Sequence, residues 1–113
     1  MNGEWVIRLY QTQAGGVPFS DWFENLKDDK TRFIVDARLS RLRLGNFGDC
    51  KALGGGLHEL RIDFGPGLRI YFGRAGQRLV ILLCAGDKST QRRDIQKAKE
   101  FWTTFKGARN ENR

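Results

Sequence analysis

Hydrophobic and polar positions alternate with period two from Glu4 to Gln11: Trp5, Ile7 and Leu9 on one side, Val6, Arg8 and Tyr10 on the other. That spacing predicts a half-buried strand, broken by Gly15-Gly16. The period then lengthens. Pro18 opens a helix whose Phe19, Trp22, Phe23 and Leu26 recur at i, i+3, i+4 and i+7, with Asp21 and Glu24 suiting its positive end. Asp28-Asp29 interrupts the stripe and starts a second helix on Val35, Leu39 and Leu42, flanked by Ile34 and Ala37, with Gly45 as its stop. Gly45 to Gly56 is glycine-dense and is expected to be a flexible connection.

From Leu57 the period is two again. Leu60, Ile62 and Phe64 face one way, and Glu59, Arg61 and Asp63 the other. Gly65-Pro66-Gly67 makes a turn, after which Leu68, Ile70 and Phe72 point inward and Arg69 and Tyr71 outward. A second turn is expected at Gly73–Gln77. Leu79–Cys84 is apolar throughout, as in a central strand covered on both faces, and Gly86-Asp87-Lys88 ends it. Ser89 or Thr90 can cap a last helix with Ile95, Ala98, Trp102 and Phe105 as its buried stripe. The reading is an α+β fold, order β-α-α-β-β-β-α, with helices packed on one face of a small, mostly antiparallel sheet. Its opposite face would be open to solvent or ligand. One domain is expected over residues 1–106, with a disordered polar tail at 107–113.

Charge sharpens this picture. The 113-residue chain carries a formal net charge of +7. Residues 1–56 hold eight basic and seven acidic side chains, whereas residues 57–113 hold twelve and six. The excess therefore sits in the C-terminal half, which favours a polyanionic partner first and an acidic protein second. No apolar run approaches the roughly 20 residues of a membrane span. Met1-Asn2-Gly3-Glu4 shows neither a basic n-region nor a signal-like apolar stretch, so a cytoplasmic location is expected. Cys50 and Cys84 lack metal-ligand spacing, and His58 is the only histidine, so no metal or cofactor is expected and a two-histidine ribonuclease mechanism is excluded. By alternation His58 belongs on the inner face as a partly buried structural residue. Leu53-Gly54-Gly55-Gly56 is followed by no GK[ST] and no helix, so it is not a phosphate loop.

The outward residues carry the chemistry. Adjacent antiparallel strands bring Glu59, Arg61, Arg69 and Tyr71 within cross-strand reach, and the loop with Asp87 and Lys88 ends close by. Arginines can clamp a phosphate and neutralise charge on its equatorial oxygens. A carboxylate, or a lysine shifted by like-charged neighbours, can serve as base toward a 2′-hydroxyl, and a tyrosine can stack a displaced base. The same residue types also make an ordinary solvated cross-strand salt-bridge set, and taken alone they favour that reading. Arg38, Arg41 and Arg43 on the second helix are expected on a solvated face, with phosphate binding as the alternative.

Four segments in register then resemble a known family: Leu44–Asp49, Glu59-Leu60-Arg61, Gly65–Phe72 and Gly86–Gln91. Over about residues 4–102 the chain resembles the HigB-like branch of the RelE/ParE toxins of bacterial type II toxin–antitoxin modules. The resemblance implies a RelE-like, microbial-ribonuclease-like fold and cleavage of mRNA in the ribosomal A site. It implies a catalytic cluster of Arg61, Arg69 and Lys88, with Glu59 where some relatives carry another basic residue. Tyr71, Gln91, Arg92 and Asp94 would be the RNA-binding residues. Several relatives supply a Tyr or His from the last helix, and this chain has neither after Tyr71. The implied partners are an adjacently encoded antitoxin, often with a helix-turn-helix domain, and the ribosome with its mRNA. Two other outcomes are a non-enzymatic, ParE-like toxin acting on DNA gyrase, and a degenerate copy acting only with its antitoxin.

Overall fold

A computed structural model describes residues 3–111. The chain runs β1 (Val6–Leu9), α1 (Pro18–Glu24), α2 (Asp29–Arg43), β2 (Cys50–Gly54), β3 (Leu57–Ile62), β4 (Leu68–Ala75), β5 (Leu79–Asp87), a 3-10 turn (Lys88–Thr90) and α3 (Gln91–Glu111). The five strands form one sheet in the order β1-β5-β4-β3-β2. Only β1 and β5 pair in parallel; the other three pairings are antiparallel. The expected α+β architecture with a mostly antiparallel sheet is what the chain forms, and α1 and α2 pack on one face as expected; the opposite face, expected to be open, is covered by the last helix.

Capping sets the helix boundaries. Pro18 stands at the first turn of α1. The Asp28 side chain accepts the Lys30 amide at 3.1 Å and so caps α2. Gly45 ends α2 at φ +90°, a conformation that favours glycine. Phe19, Val35 and Leu42 from α1 and α2 then pack on Leu60, Ile62, Ile70, Phe72, Val80 and Leu82, the face the alternation selects.

α3 closes on the other face. Its Ala98 and Trp102 join Tyr71, Ile81, Leu83 and Cys84 in a second buried cluster. A bulge in β5 helps: Tyr71 pairs with Cys84 and Phe72 with Leu82, leaving Leu83 as the extra residue. Leu83 and Cys84 consequently both reach the α3 side, which strict alternation would forbid.

Four further expectations need correction. The glycine-dense segment is not all connection, because Cys50–Gly54 pairs with β3 as an edge strand. Gly73 does not start a turn; β4 runs on to Ala75, and Gly73 is the place where the Trp102 ring lies flat on the strand, with no room for a Cβ. Arg38 is not solvated. It is buried and donates to the carbonyls of Arg61 at 2.8 Å and Phe47 at 3.0 Å, tying α2 to β3 and to the loop. Finally, α3 continues to Glu111 through part of the segment expected as a disordered tail; residues 112–113 of that tail, like Met1 and Asn2, lie outside the described residues. Among the described residues no helix is long and apolar enough to cross a membrane.

Candidate phosphate-binding site

Register places the arginines. Arg61 and Arg69 are direct partners across β3 and β4, and Arg69 pairs in turn with Gly86 on β5. One residue past Gly86, the Asp87 side chain caps the 3-10 turn by accepting the Ser89 amide at 2.8 Å. A second hydrogen bond, from the Ser89 hydroxyl, is the main reason the Asp87 carboxyl is held below its ordinary range; it outweighs the opposing effect of burial, and the Ser89 and Thr90 amides add to it. The turn delivers Lys88 over Gly67, where a Cβ would come within 2.9 Å of the Lys88 side chain and 3.6 Å of an Arg69 nitrogen. Gly67 also needs its φ of +81°. The Gly65-Pro66-Gly67 turn thus makes room for Lys88 beside Arg69.

Arg69 is poised by its surroundings. Its Nη1 donates to the Leu68 carbonyl at 3.1 Å. Its Nε is a buried donor with no acceptor, and it is the only such side-chain atom among the described residues. A buried donor left this way costs free energy that an acceptor reaching it would recover. Arg61 is oriented differently. Its Nε donates to Glu59 Oε1 at 3.1 Å, leaving the far end of the guanidinium to project from a side chain that is 34% exposed.

Glu59 is the hub beneath. It is 1% exposed, and its second oxygen, Oε2, accepts from Tyr71 at 3.0 Å and from Gln91 at 2.8 Å. Burial works to raise its pKa, but the hydrogen bonds from Gln91, Arg61 and Tyr71 and the charge of Arg61 together hold it below the ordinary carboxylate range. Tyr71 is fully buried and, mainly through that burial and then the neighbouring Glu59 charge, its phenol is pushed far above its usual range.

Several sequence assignments change accordingly. Arg61, Arg69 and Lys88 are brought together as expected. Glu59 and Tyr71 share their face, but α3 covers them. A base cannot stack on Tyr71, and Glu59, acidic and saturated by three donors, is unsuited to general-base work. Gln91 spends its amide on Glu59. Asp94 is buried; its Oδ2 accepts from Thr90 at 2.5 Å, and it fits against β5 because Gly86 has no Cβ. Arg92 alone of the four RNA-binding candidates is exposed. His58 is half-buried and stacks on Phe72 at 5.3 Å, as expected of a structural histidine. What sequence reasoning missed is the buttress formed by Gln91, Glu59 and Tyr71. An acidic residue between two arginine-bearing strands was its one visible signal.

Fold and site together define a class: a small basic α+β protein with three cationic side chains gathered on and beside its sheet, one of them braced by a buried carboxylate. Comparison with known proteins narrows this. The chain belongs to the family described as Phage derived protein Gp49-like (DUF891), whose family model matches residues 21–103. That span contains every site residue above. An uncharacterized protein of Haemophilus influenzae is 49% identical over 81 residues, covering 72% of this chain and 82% of the relative.

Proposed function

We propose that this protein is the toxin of a type II toxin–antitoxin module and acts as an endoribonuclease on ribosome-bound mRNA. The observation that carries the reading is the convergence of Arg61, Arg69 and Lys88, with the buried Arg69 Nε lacking an acceptor. The family and the resemblance to HigB-like toxins support it.

In this reading Arg69 holds the scissile phosphate, and the projecting end of Arg61 and the Lys88 ammonium neutralise charge as the 2′-oxygen attacks the adjacent phosphorus and the P–O5′ bond breaks, leaving a 2′,3′-cyclic phosphate. The 2′-hydroxyl proton passes to water and the departing 5′-oxygen takes one from water. The chemistry uses no metal. The ribosome supplies in-line geometry, which lowers the demand on side-chain acid–base groups. That matters because Glu59 and Tyr71 are withdrawn from proton transfer. The protein works in the cytoplasm, held in check by an adjacently encoded antitoxin whose contact with this basic surface is salt-sensitive.

Induction in a bacterial host followed by primer extension on cellular mRNA tests this. Codon-phased cuts are expected with the wild-type chain and none with Arg69→Ala, while folding and antitoxin binding persist. Toxicity retained when Arg61, Arg69 and Lys88 are all alanine overturns the mechanism. Supercoiling defects without cuts would identify a gyrase poison, and no growth effect would identify a degenerate copy.

A further inference from the structure

Beyond the three-cation cluster, α3 carries basic side chains at a regular spacing. Arg92, Lys99 and Lys106 recur at i, i+7 and i+14 and therefore form one row along the helix. The row spans about 21 Å at ~1.5 Å per residue. All three residues are exposed, and none makes an ion pair among the described residues. The acids within that stretch are Asp94, which is buried, and Glu100, which accepts from Gln96 at 3.4 Å.

Contacts show which way the row faces. Lys106 Nζ donates to Gly55 O at 3.2 Å and Trp102 Nε1 to the same oxygen at 2.7 Å, so this side of α3 overhangs the β2–β3 hairpin. Across from it, exposed Lys51 is the β2 register partner of Glu59 and so shares the α3 face of the sheet. The row begins next to Gln91, which is bonded to Glu59, the residue that holds Arg61. One chain of contacts thus links Arg61, through Glu59 and Gln91, to the start of the row, and the row's far end lies at the tip of the hairpin.

We infer that this shoulder, Arg92, Lys99 and Lys106 with Lys51 opposite, binds the sugar–phosphate backbone of the RNA strand that enters the three-cation cluster. The inference rests on the proposed endoribonuclease reading for the identity of that strand. A row of unpaired cations suits a polyanion of regular repeat. The row offers no exposed large apolar side chain to the more apolar buried core of a protein interface, so antitoxin contact is expected at the three-cation cluster rather than along the row. The large apolar side chains exposed among the described residues are Val6, Leu9, Phe33 and Leu44, at β1 and α2, on other sides of the molecule.

The test is anisotropy binding of 2′-O-methyl RNA, a trimer and a dodecamer, which bind without being cut. Wild-type protein is expected to prefer the dodecamer. Arg92→Gln/Lys99→Gln/Lys106→Gln should erase that preference, on the order of tenfold near physiological salt, and flatten the salt slope by about 2, at ~0.7 per phosphate contact. Trimer binding should stay unchanged, and the thermal melt should fall only slightly, by the exposed Lys106–Gly55 hydrogen bond. Lys99→Glu alone, at the centre of the row, should lose part of the preference. A dodecamer preference that survives the triple substitution overturns the inference. So does a polyglutamate peptide that depends on the row while RNA length does not. Arg69→Ala separates the two readings: it should weaken both oligomers alike. If it weakens neither while the triple variant still erases the preference, the shoulder stands and the phosphate cluster falls.

Discussion

Glu59→Ala probes the buttress most directly. The substitution removes the acceptor of three donors at once: Arg61 at 3.1 Å, Tyr71 at 3.0 Å and Gln91 at 2.8 Å. The three losses are unequal. Tyr71 is fully buried, so its orphaned hydroxyl costs ~1–3 kcal/mol. Arg61 is one-third exposed and regains water, so its release adds little. Truncating the buried side chain adds about 1 kcal/mol of lost packing. The expected destabilisation is about 3 kcal/mol, or roughly 12 °C in Tm for a domain of this size. Denaturant and thermal unfolding read it, and Tyr71→Phe supplies the other corner of a cycle. Because the phenol is unsatisfied only when the carboxylate is gone, the two losses should couple by about 1 kcal/mol or more. Glu59→Gln separates stability from function. One amide oxygen can still serve Tyr71 and Gln91, but the amide nitrogen then meets Arg61 Nε donor to donor. Stability should fall modestly while Arg61 swings free and RNA cleavage drops. A loss below about 1 kcal/mol for Glu59→Ala, or losses that simply add with Tyr71→Phe, would show that the carboxylate is not the keystone of this cluster.

Three further outcomes follow from the same contacts. Gly73→Ala forces a methyl into the Trp102 ring and should cost ~1–3 kcal/mol by overpacking, seen as a lower Cm with unchanged m in urea. Gly67→Ala combines a positive φ with a methyl against Lys88, and should lower toxicity more than it lowers Tm if the position of Lys88 matters. Acid sensitivity has a definite sign. Glu59 is more acidic folded than unfolded, so its contribution is present above the unfolded value of roughly 4.3 and lost as pH falls through the lower folded value. Chiefly through burial, His58 is also lowered, so its contribution fades as pH falls below roughly 6.5. Unfolding free energies measured from pH 7 to pH 3 should flatten over the lower window in Glu59→Gln and over the upper one in His58→Asn.

The legible part of this fold was whatever a single period controls. Alternation from Leu57 to Phe72 selected the buried face, and the 3.6-residue stripes located all three helices, because burial of one face is a local constraint written in consecutive residues. The errors arose where a distant element decides. Cys50–Gly54 is a strand only because β3 offers it an edge; its own glycines argue otherwise. Gly73 and Gly86 resemble turn residues in sequence, yet they lie within β4 and β5 as the places where Trp102 and Asp94 of α3 come closest. Arg38 belongs to a charged helix by composition and to the interior by its two carbonyl acceptors, Phe47 in the loop beyond the helix and Arg61 on β3.

The site divides along the same line. Opposite register of Arg61 and Arg69 follows from one hairpin, so sequence alone could pair them. Whether Glu59 and Tyr71 face RNA or protein depends on where α3 lands, and the period-two pattern carries no information about that. Once α3 is in place the roles reverse: the groups that looked able to move protons become a fixed support, and in the proposed endoribonuclease reading the work of meeting a phosphate passes to the cations. Under that reading the site stabilises charge and leaves proton transfer to its surroundings, so cleavage should be far slower on free RNA than on a strand whose geometry is imposed from outside. Cleavage of naked mRNA by the isolated protein at a rate matching that on programmed ribosomes would contradict this division of labour and would require a general base that none of Glu59, Tyr71 and Asp94 can provide.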